Sequence, residues 1–429
     1  MWRALESSRT NDRSPQSQHS VDRRSETRAG SGPYRSRSYP RAATWAVHRI
    51  RALKRPAPRL NRFQPESNLI GMTSHITTAR YPAVDFHTHL GRWLTRNGDW
   101  MAPDVGRLCD LMDQTNVTAL VNLDGRWGDE LERNLDRYDR AQPGRFATFC
   151  HLDWELLEEE KHAGSLVDSL EASSAAGARG LKVWKDLGLN IRKEGRLLLP
   201  DDPLLDPVWT ASGALNLPIL IHVADPVAFF RPVNGGNERL DELLRYPHAS
   251  LARYGQSHFG RLISSLESVV ARHPGTAFIG AHVGCYAENL GWVGNMLDRY
   301  PNFYVDLAGR IMELGRQPRA TAELISRHPD RVLFGTDASP LSKEDLHLYF
   351  RFLESNDEHF PYSTDEIPPY GRWAISGLAL PADHLQLVYG SNARALLSGS
   401  GDGVTYLNPD FGLRPHRTSE SPVGTKETT

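Results

Sequence analysis

Cysteine is scarce in this chain. Three occur in 429 residues, Cys109, Cys150 and Cys285, far apart and odd in number, and no Cys-x-x-Cys pair exists. That spacing excludes a disulfide framework and a cysteine zinc knuckle, and it points to a reducing compartment, so a cytoplasmic location is expected. No apolar run approaches the roughly 18 residues needed to cross a bilayer. The N-terminus has no secretory apolar core. No Gly-x-Gly-x-x-Gly follows the first strand-like segment, so a dinucleotide fold has no support. Net charge is also nearly absent, at -2, but it is unevenly spread. Residues 1–80 hold 16 Lys+Arg against 5 Asp+Glu, leaving 34 against 47 in the remainder. An acidic body argues against a nucleic-acid groove, and the expected partner is a small-molecule substrate, with homo-oligomerisation left open.

What is present begins after the basic stretch. Residues 1–78 are rich in Arg, Ser and Pro, have little periodicity, and read as a disordered basic extension. Alternatives are an organelle-targeting peptide or a start codon assigned too early, with translation beginning at Met72. Residues 398–429 read as a Gly/Ser/Pro-rich flexible tail. Between them, over 79–397, strand-like and helix-like segments alternate. Strands are expected at 83–86, 118–123, 145–151, 180–184, 218–222, 277–282, 303–307 and 331–336, most of them apolar on both faces, as buried parallel strands are. Helices fit between them at 104–115, 129–140, 159–175, 203–215, 261–273, 288–300 and 319–328, with two more at 343–353 and 382–397. Eight such repeats imply an α/β fold closed into a (β/α)8 TIM barrel, with a doubly wound open sheet as the runner-up.

In such a barrel, chemistry sits at the C-terminal ends of the strands. The first strand runs Val84-Asp85-Phe86-His87-Thr88-His89 and places two imidazoles two residues apart, on one face of the strand. Lys182 follows on strand four, His222 ends strand five, His282 ends strand six, Asp306 lies on strand seven, and Asp337 follows strand eight. Neutral imidazoles and carboxylates suit zinc and similar ions, with a position left for water. Each residue alone has an ordinary explanation. Asp337 could cap a turn, Lys182 could pair with a carboxylate, and Asp306 could orient a neighbour. Ligand-type residues at the rim of five strands together point to a metal centre.

The order His-x-His, His, His, Asp resembles that of the amidohydrolase superfamily. The phrases DFHTHLG, RGLKVWKDLGL, LPILIHVADP, FIGAHVG, FYVDLAGR, VLFGTD and VYGSNARALL are similar to its amidohydrolase-related branch, which includes aminocarboxymuconate-semialdehyde decarboxylase-like enzymes. The resemblance covers roughly 80–397. It implies that His87, His89, His222 and Asp337 bind a divalent metal, zinc by preference, and that Asp337 and His282 are the catalytic groups. It leaves Lys182 and His282 as ligands of a second ion in two-metal members, and one ion is expected here. The implied activity is hydrolysis of a C–N or C–O bond, with decarboxylation of an unsaturated or aromatic acid as the alternative and an inactive metal-binding scaffold as the third reading. Arg92, Arg126 and Arg310, after strands one, two and seven, are candidate clamps for a substrate carboxylate, and Trp184 is a candidate wall for a planar one. The long connection 224–257, with Gly235-Gly236 as a hinge candidate, reads as a lid.

Overall fold

The computed structural model describes residues 67–158 and 163–399. Most of the expected extension 1–78 and nearly all of the expected tail 398–429 lie outside the described residues. Eight short parallel strands carry the fold: β1 Ala83–Thr88, β2 Val117–Asn122, β3 Phe146–Thr148, β4 Leu181–Val183, β5 Ile219–Ile221, β6 Phe278–Gly280, β7 Phe303–Asp306 and β8 Val332–Leu333. They pair in sequence order as β1-β2-β3 and β4-β5-β6-β7-β8. Backbone hydrogen bonds cross both remaining seams. Cys150 donates to the carbonyl of Gly180 at 2.9 Å, and Lys182 donates to Cys150 at 2.8 Å. Phe86 donates to Phe334 at 2.9 Å, and Asp337 donates to His87 at 2.9 Å. The ring is therefore closed, and the fold is the expected (β/α)8 barrel rather than an open sheet.

The helices form where local chemistry starts and stops them. Asp104 caps Val105–Thr115 by accepting from the Arg107 amide, and Asn116 ends it in the left-handed region at φ 59. Ser342 and Asp345 form a capping box at the start of Lys343–Glu354. Apolar residues sort into two clusters. A large outer one lies between strands and helices. A small inner one gathers Val84, Phe86, Val121, Phe149, Leu220, Ile279 and Leu333 with Ala393 and Leu397 of the last helix. Full burial of each such side chain contributes about 1.5–3 kcal/mol. The inner cluster fills the barrel below the rim, so the polar residues that follow it are held at one level. Among the described residues, no helix is long and apolar enough to cross a membrane.

The structure departs from the sequence reading in two useful places. Strand six stops at Gly280 rather than running to 282, and His282 begins a separate turn. Residues 361–374, between the last two expected helices, form a loop pinched at its base by mutual hydrogen bonds of 2.9 Å between Phe360 and Ile375.

Candidate metal centre and active-site cavity

His87 and His89 leave the end of β1 fully buried, and each is oriented by a carboxylate. Asp306 accepts from Nδ1 of His87 at 2.8 Å, and Asp124 accepts from Nδ1 of His89 at 2.7 Å. Nε2 of each ring therefore carries a lone pair toward the rim, the arrangement found where a carboxylate steers a histidine onto a metal. Orienting a neighbour is the ordinary alternative given above for Asp306. Asp124 was not foreseen, although it stands two residues past β2, where a rim carboxylate is easily noticed. Asp306 does more than orient one ring: its other oxygen accepts the backbone N–H of His282 at 2.7 Å and of Ala308 at 3.1 Å.

Asp337 faces both imidazoles. Its Oδ1 lies 3.3 Å from His89 Nε2 and 3.7 Å from His87 Nε2, and its Oδ2 lies 4.0 Å from His282 Nε2. The β8 end is held for this by Asp85, which accepts from the Thr336 hydroxyl at 2.6 Å and the Thr336 amide at 3.0 Å. Gly309, at φ 62, passes so close that a Cβ there would meet Asp337 Oδ2 at 3.3 Å. His282 sits in a turn of four consecutive left-handed residues, with φ 57, 61, 67 and 59 from His282 to Cys285. Its Nδ1 donates to the carbonyl of Ala308 at 2.8 Å.

The ligand atoms of His87, His89 and Asp337 lie within 4.8 Å of one another, and those of His87, His282 and Asp306 form a second such group. His222 falls in neither group. Its ring lies 4.5 Å from that of His282, centre to centre, and both its nitrogens are buried without a hydrogen bond. Nε2 of His87 and His89, Oδ1 of Asp337 and Nζ of Lys182 are likewise buried and make no hydrogen bond. Polar atoms in that state are costly unless something fills the space between them.

The charges agree with a cation there. Burial would raise Asp337, but His87, His89 and His282 hold it well below the usual carboxylate range. Burial would depress His89, but Asp124 outweighs it and lifts the ring to about 9. The surrounding carboxylates thus favour positive charge at this point, and the donor set fits a divalent ion. Lys182, 1% exposed, is lowered to about 8 by burial despite Asp306 and Asp337. Its Nζ stands 5.1 Å from the centre of the Trp184 ring.

Beside this cluster opens a cavity of about 380 Å³, with His222, His282, Asp337 and Arg310 in its wall. Arg310 is the one clamp candidate at this cavity, and its Nη1 donates to Gly309 O at 2.7 Å. Arg92 is turned away from it in a two-pronged pair with Glu130, at 3.0 and 2.5 Å, and lies over Trp100. Arg126, at φ 60, is held over Trp93 and Trp127, 5.1 and 4.0 Å from their ring centres, and also lies off the cavity wall. Trp184 touches the metal cluster rather than the cavity, 5.2 Å from His89 and 6.3 Å from His222. The expected lid supplies Asp225, Phe229, Arg239 and Glu242 to the wall, and the loop 361–374 adds Tyr362 and Tyr370. That second cover was not foreseen; its only signals in the sequence were the Pro361 and Pro368-Pro369 punctuation and an unusually long gap between helices.

Residues 110–399 match the amidohydrolase family model Amidohydro_2, and the chain belongs to that family. It is accordingly a metal-dependent enzyme of the amidohydrolase superfamily. The match begins after β1, so His87 and His89 lie outside it and are joined to the site by the geometry above. No curated protein matches the sequence. Solved structures are similar to this chain at low identity. A 2,6-dihydroxybenzoate decarboxylase from Rhizobium is 17% identical, with a TM-score of 0.49 over 75% of this chain and 100% of that one. A dihydroxybenzoic acid decarboxylase from Polaromonas sp. JS666, with bound manganese, is 15% identical, with a TM-score of 0.47 over 75% and 98%. An amidohydrolase from Burkholderia multivorans is 14% identical, with a TM-score of 0.44 over 74% and 99%.

Proposed function

We propose that this chain is a hydrolase of a C–N or C–O bond in a small molecule, working with one zinc ion in a reducing, cytoplasmic setting. The observation that carries the reading is the meeting of His282 and Asp337 at the cavity edge, Nε2 to Oδ2 at 4.0 Å. Because Nδ1 of His282 donates to the Ala308 carbonyl, the neutral ring presents an unprotonated Nε2 toward Asp337. Burial, helped by Arg310, holds His282 well below its ordinary value, so the ring is neutral. Asp337 is ionised. Both groups are therefore proton acceptors, which suits activation of water.

His87 Nε2, His89 Nε2, Asp337 and His222 are the residues that would hold the ion. When bound, it polarises a substrate carbonyl and brings the pKa of water toward neutrality. Asp337 Oδ2 takes the proton released by the attacking water and returns it to the departing nitrogen or oxygen. His282 Nε2 accepts a hydrogen bond from a substrate N–H or O–H, or a proton in transit. Arg310 binds an acidic or carbonyl oxygen of the substrate at the cavity wall.

One observation favours the second reading, a carboxy-lyase. Protonating a substrate carbon needs a donor, and the buried, unpartnered ammonium of Lys182 is one. The two readings separate on products after a substrate screen of the zinc-loaded enzyme. Hydrolysis places one 18O from labelled water in the acyl product and releases no carbon dioxide. Carbon dioxide without uptake of label would sink the hydrolase.

The single-ion reading also makes a prediction about Lys182. An ammonium beside a dication is repelled, and only a carboxylated lysine would bridge two ions. Lys182→Ala is expected to keep one equivalent of tightly bound zinc, measured by elemental analysis. Wild type holding two equivalents, with the variant losing one and regaining activity on addition of a short-chain carboxylic acid, would show the bridge instead.

A further inference from the structure

Two segments outside the barrel cover the cavity, the connection 224–254 and the loop 361–374. The loop is stitched internally by Tyr362, whose hydroxyl donates to Gly371 O at 2.8 Å and accepts from the amides of Tyr370 and Gly371 at 3.0 Å. On the outside, Arg372 reaches Asp241 of the first segment with bonds of 2.8 and 3.1 Å, in a pair that is part-exposed. On the inside, at the cavity wall, lies Arg239, 2% exposed. Its Nη1 donates to Glu242 Oε2 at 2.9 Å and its Nη2 donates to Glu313, in the short helix Ile311–Leu314 after β7. The same guanidinium lies 5.6 Å from the centre of the Tyr370 ring and 5.7 Å from that of Trp373. Its backbone is fixed in turn by Asn237, which accepts from the Arg239 amide at 2.9 Å and donates to the carbonyls of Ala228 and Pro232.

One side chain thus meets three chain segments, and two of its partners, Glu242 and Tyr370, belong to the cavity wall. We propose that Arg239 is a positioning residue that seats the loop 361–374 against the connection 224–254, so that substrate enters when this loop lifts and is enclosed when it returns. The planar fork is what allows two carboxylates and two aromatic faces to be served at once, and an ammonium at the same place cannot do all of it. The outer Arg372–Asp241 pair is part-exposed and screened, so it contributes little by itself. The internal hydrogen bonds of Tyr362 let the loop move as one body, pivoting at the Phe360–Ile375 pinch.

The test uses the full-length, zinc-loaded chain with Arg239→Lys and Glu313→Gln, and Arg239→Gln if it folds. Amide hydrogen exchange is expected to speed up about tenfold in peptides covering 361–374, while β1, β5 and β6 exchange as in wild type and zinc content is unchanged. Binding of anilinonaphthalene sulfonate to the opened cavity should rise in parallel. Arg239→Lys should fall between wild type and Arg239→Gln; Glu313→Gln, which leaves the cavity wall intact, should move in the same direction. With a substrate from the screen, KM should rise about tenfold with little change in kcat. Exchange that accelerates evenly across the barrel, or a loop that exchanges as in wild type, overturns the proposal. So does a fall in kcat at constant KM. The KM measurement rests on the hydrolase reading but the exchange measurement does not, so a failed substrate screen would count against the reaction and leave the loop result standing.

Discussion

Asp337→Asn is expected to lower kcat by about a thousandfold, as when a positioned proton acceptor is lost, with little change in KM. The amide keeps the shape of the carboxylate and one oxygen for the ion, but it cannot take a proton. The surroundings sharpen the effect. Burial alone would raise the Asp337 carboxyl, yet His87, His89 and His282 hold it well below the usual carboxylate range, which favours the accepting form. Steady-state kinetics with saturating zinc decides the matter. Turnover within a few-fold of wild type would remove Asp337 from the proton path and move the role to His282.

The two orienting carboxylates are expected to behave differently. Asp124→Asn and Asp306→Asn should each weaken zinc binding about 10–100-fold, because each loosens one histidine. Asp124 serves His89, Trp93 and the Gly91 amide, all on the β1 side. Asp306 serves His87 and also pins the backbone of His282 and Ala308. Saturating zinc should therefore restore kcat in Asp124→Asn but leave Asp306→Asn about tenfold or more below wild type, since misplacing a reacting group is costly even when it is present. Competition against a chelating dye measures the affinity and kinetics at high zinc measures the remainder. Equal recovery in both variants would mean that His282 is positioned by something else.

Much of this is legible in the sequence. Buried parallel strands announce themselves as short apolar runs, and a barrel puts the residue after each run at its rim, so His87, His89, His222, His282 and Asp337 could all be named. What sequence could not supply was the partner of each group. Asp124 looks like any turn aspartate until His89 is seen against it. Lys182 could have been paired, and only its surroundings show that it is not. Arg92, Arg126 and Arg310 occupy equivalent positions after their strands, yet Glu130 engages the first, two tryptophans stack on the second, and only the third reaches the cavity. Pair formation between residues far apart in the chain decides such cases, and local pattern carries no trace of it. The loop 361–374 was missed for a related reason: irregular backbone has no periodicity to read.

The left-handed turn under His282 has an energetic side. Three residues there, His282, Val283 and Cys285, lack glycine's freedom, and the left-handed region costs L-residues about 1–2 kcal/mol each, with a β-branched side chain such as Val283 the least suited to it. A load of that size is a sizeable fraction of the net stability of about 5–15 kcal/mol typical of a folded protein. Asp306 and the Cys285 amide, which donates to Ala281 O at 2.8 Å, hold the turn against it. Stability and aim are therefore coupled at this turn: a glycine at 283 would relieve the left-handed strain but lose a fully buried core side chain and let the imidazole wander from its aim.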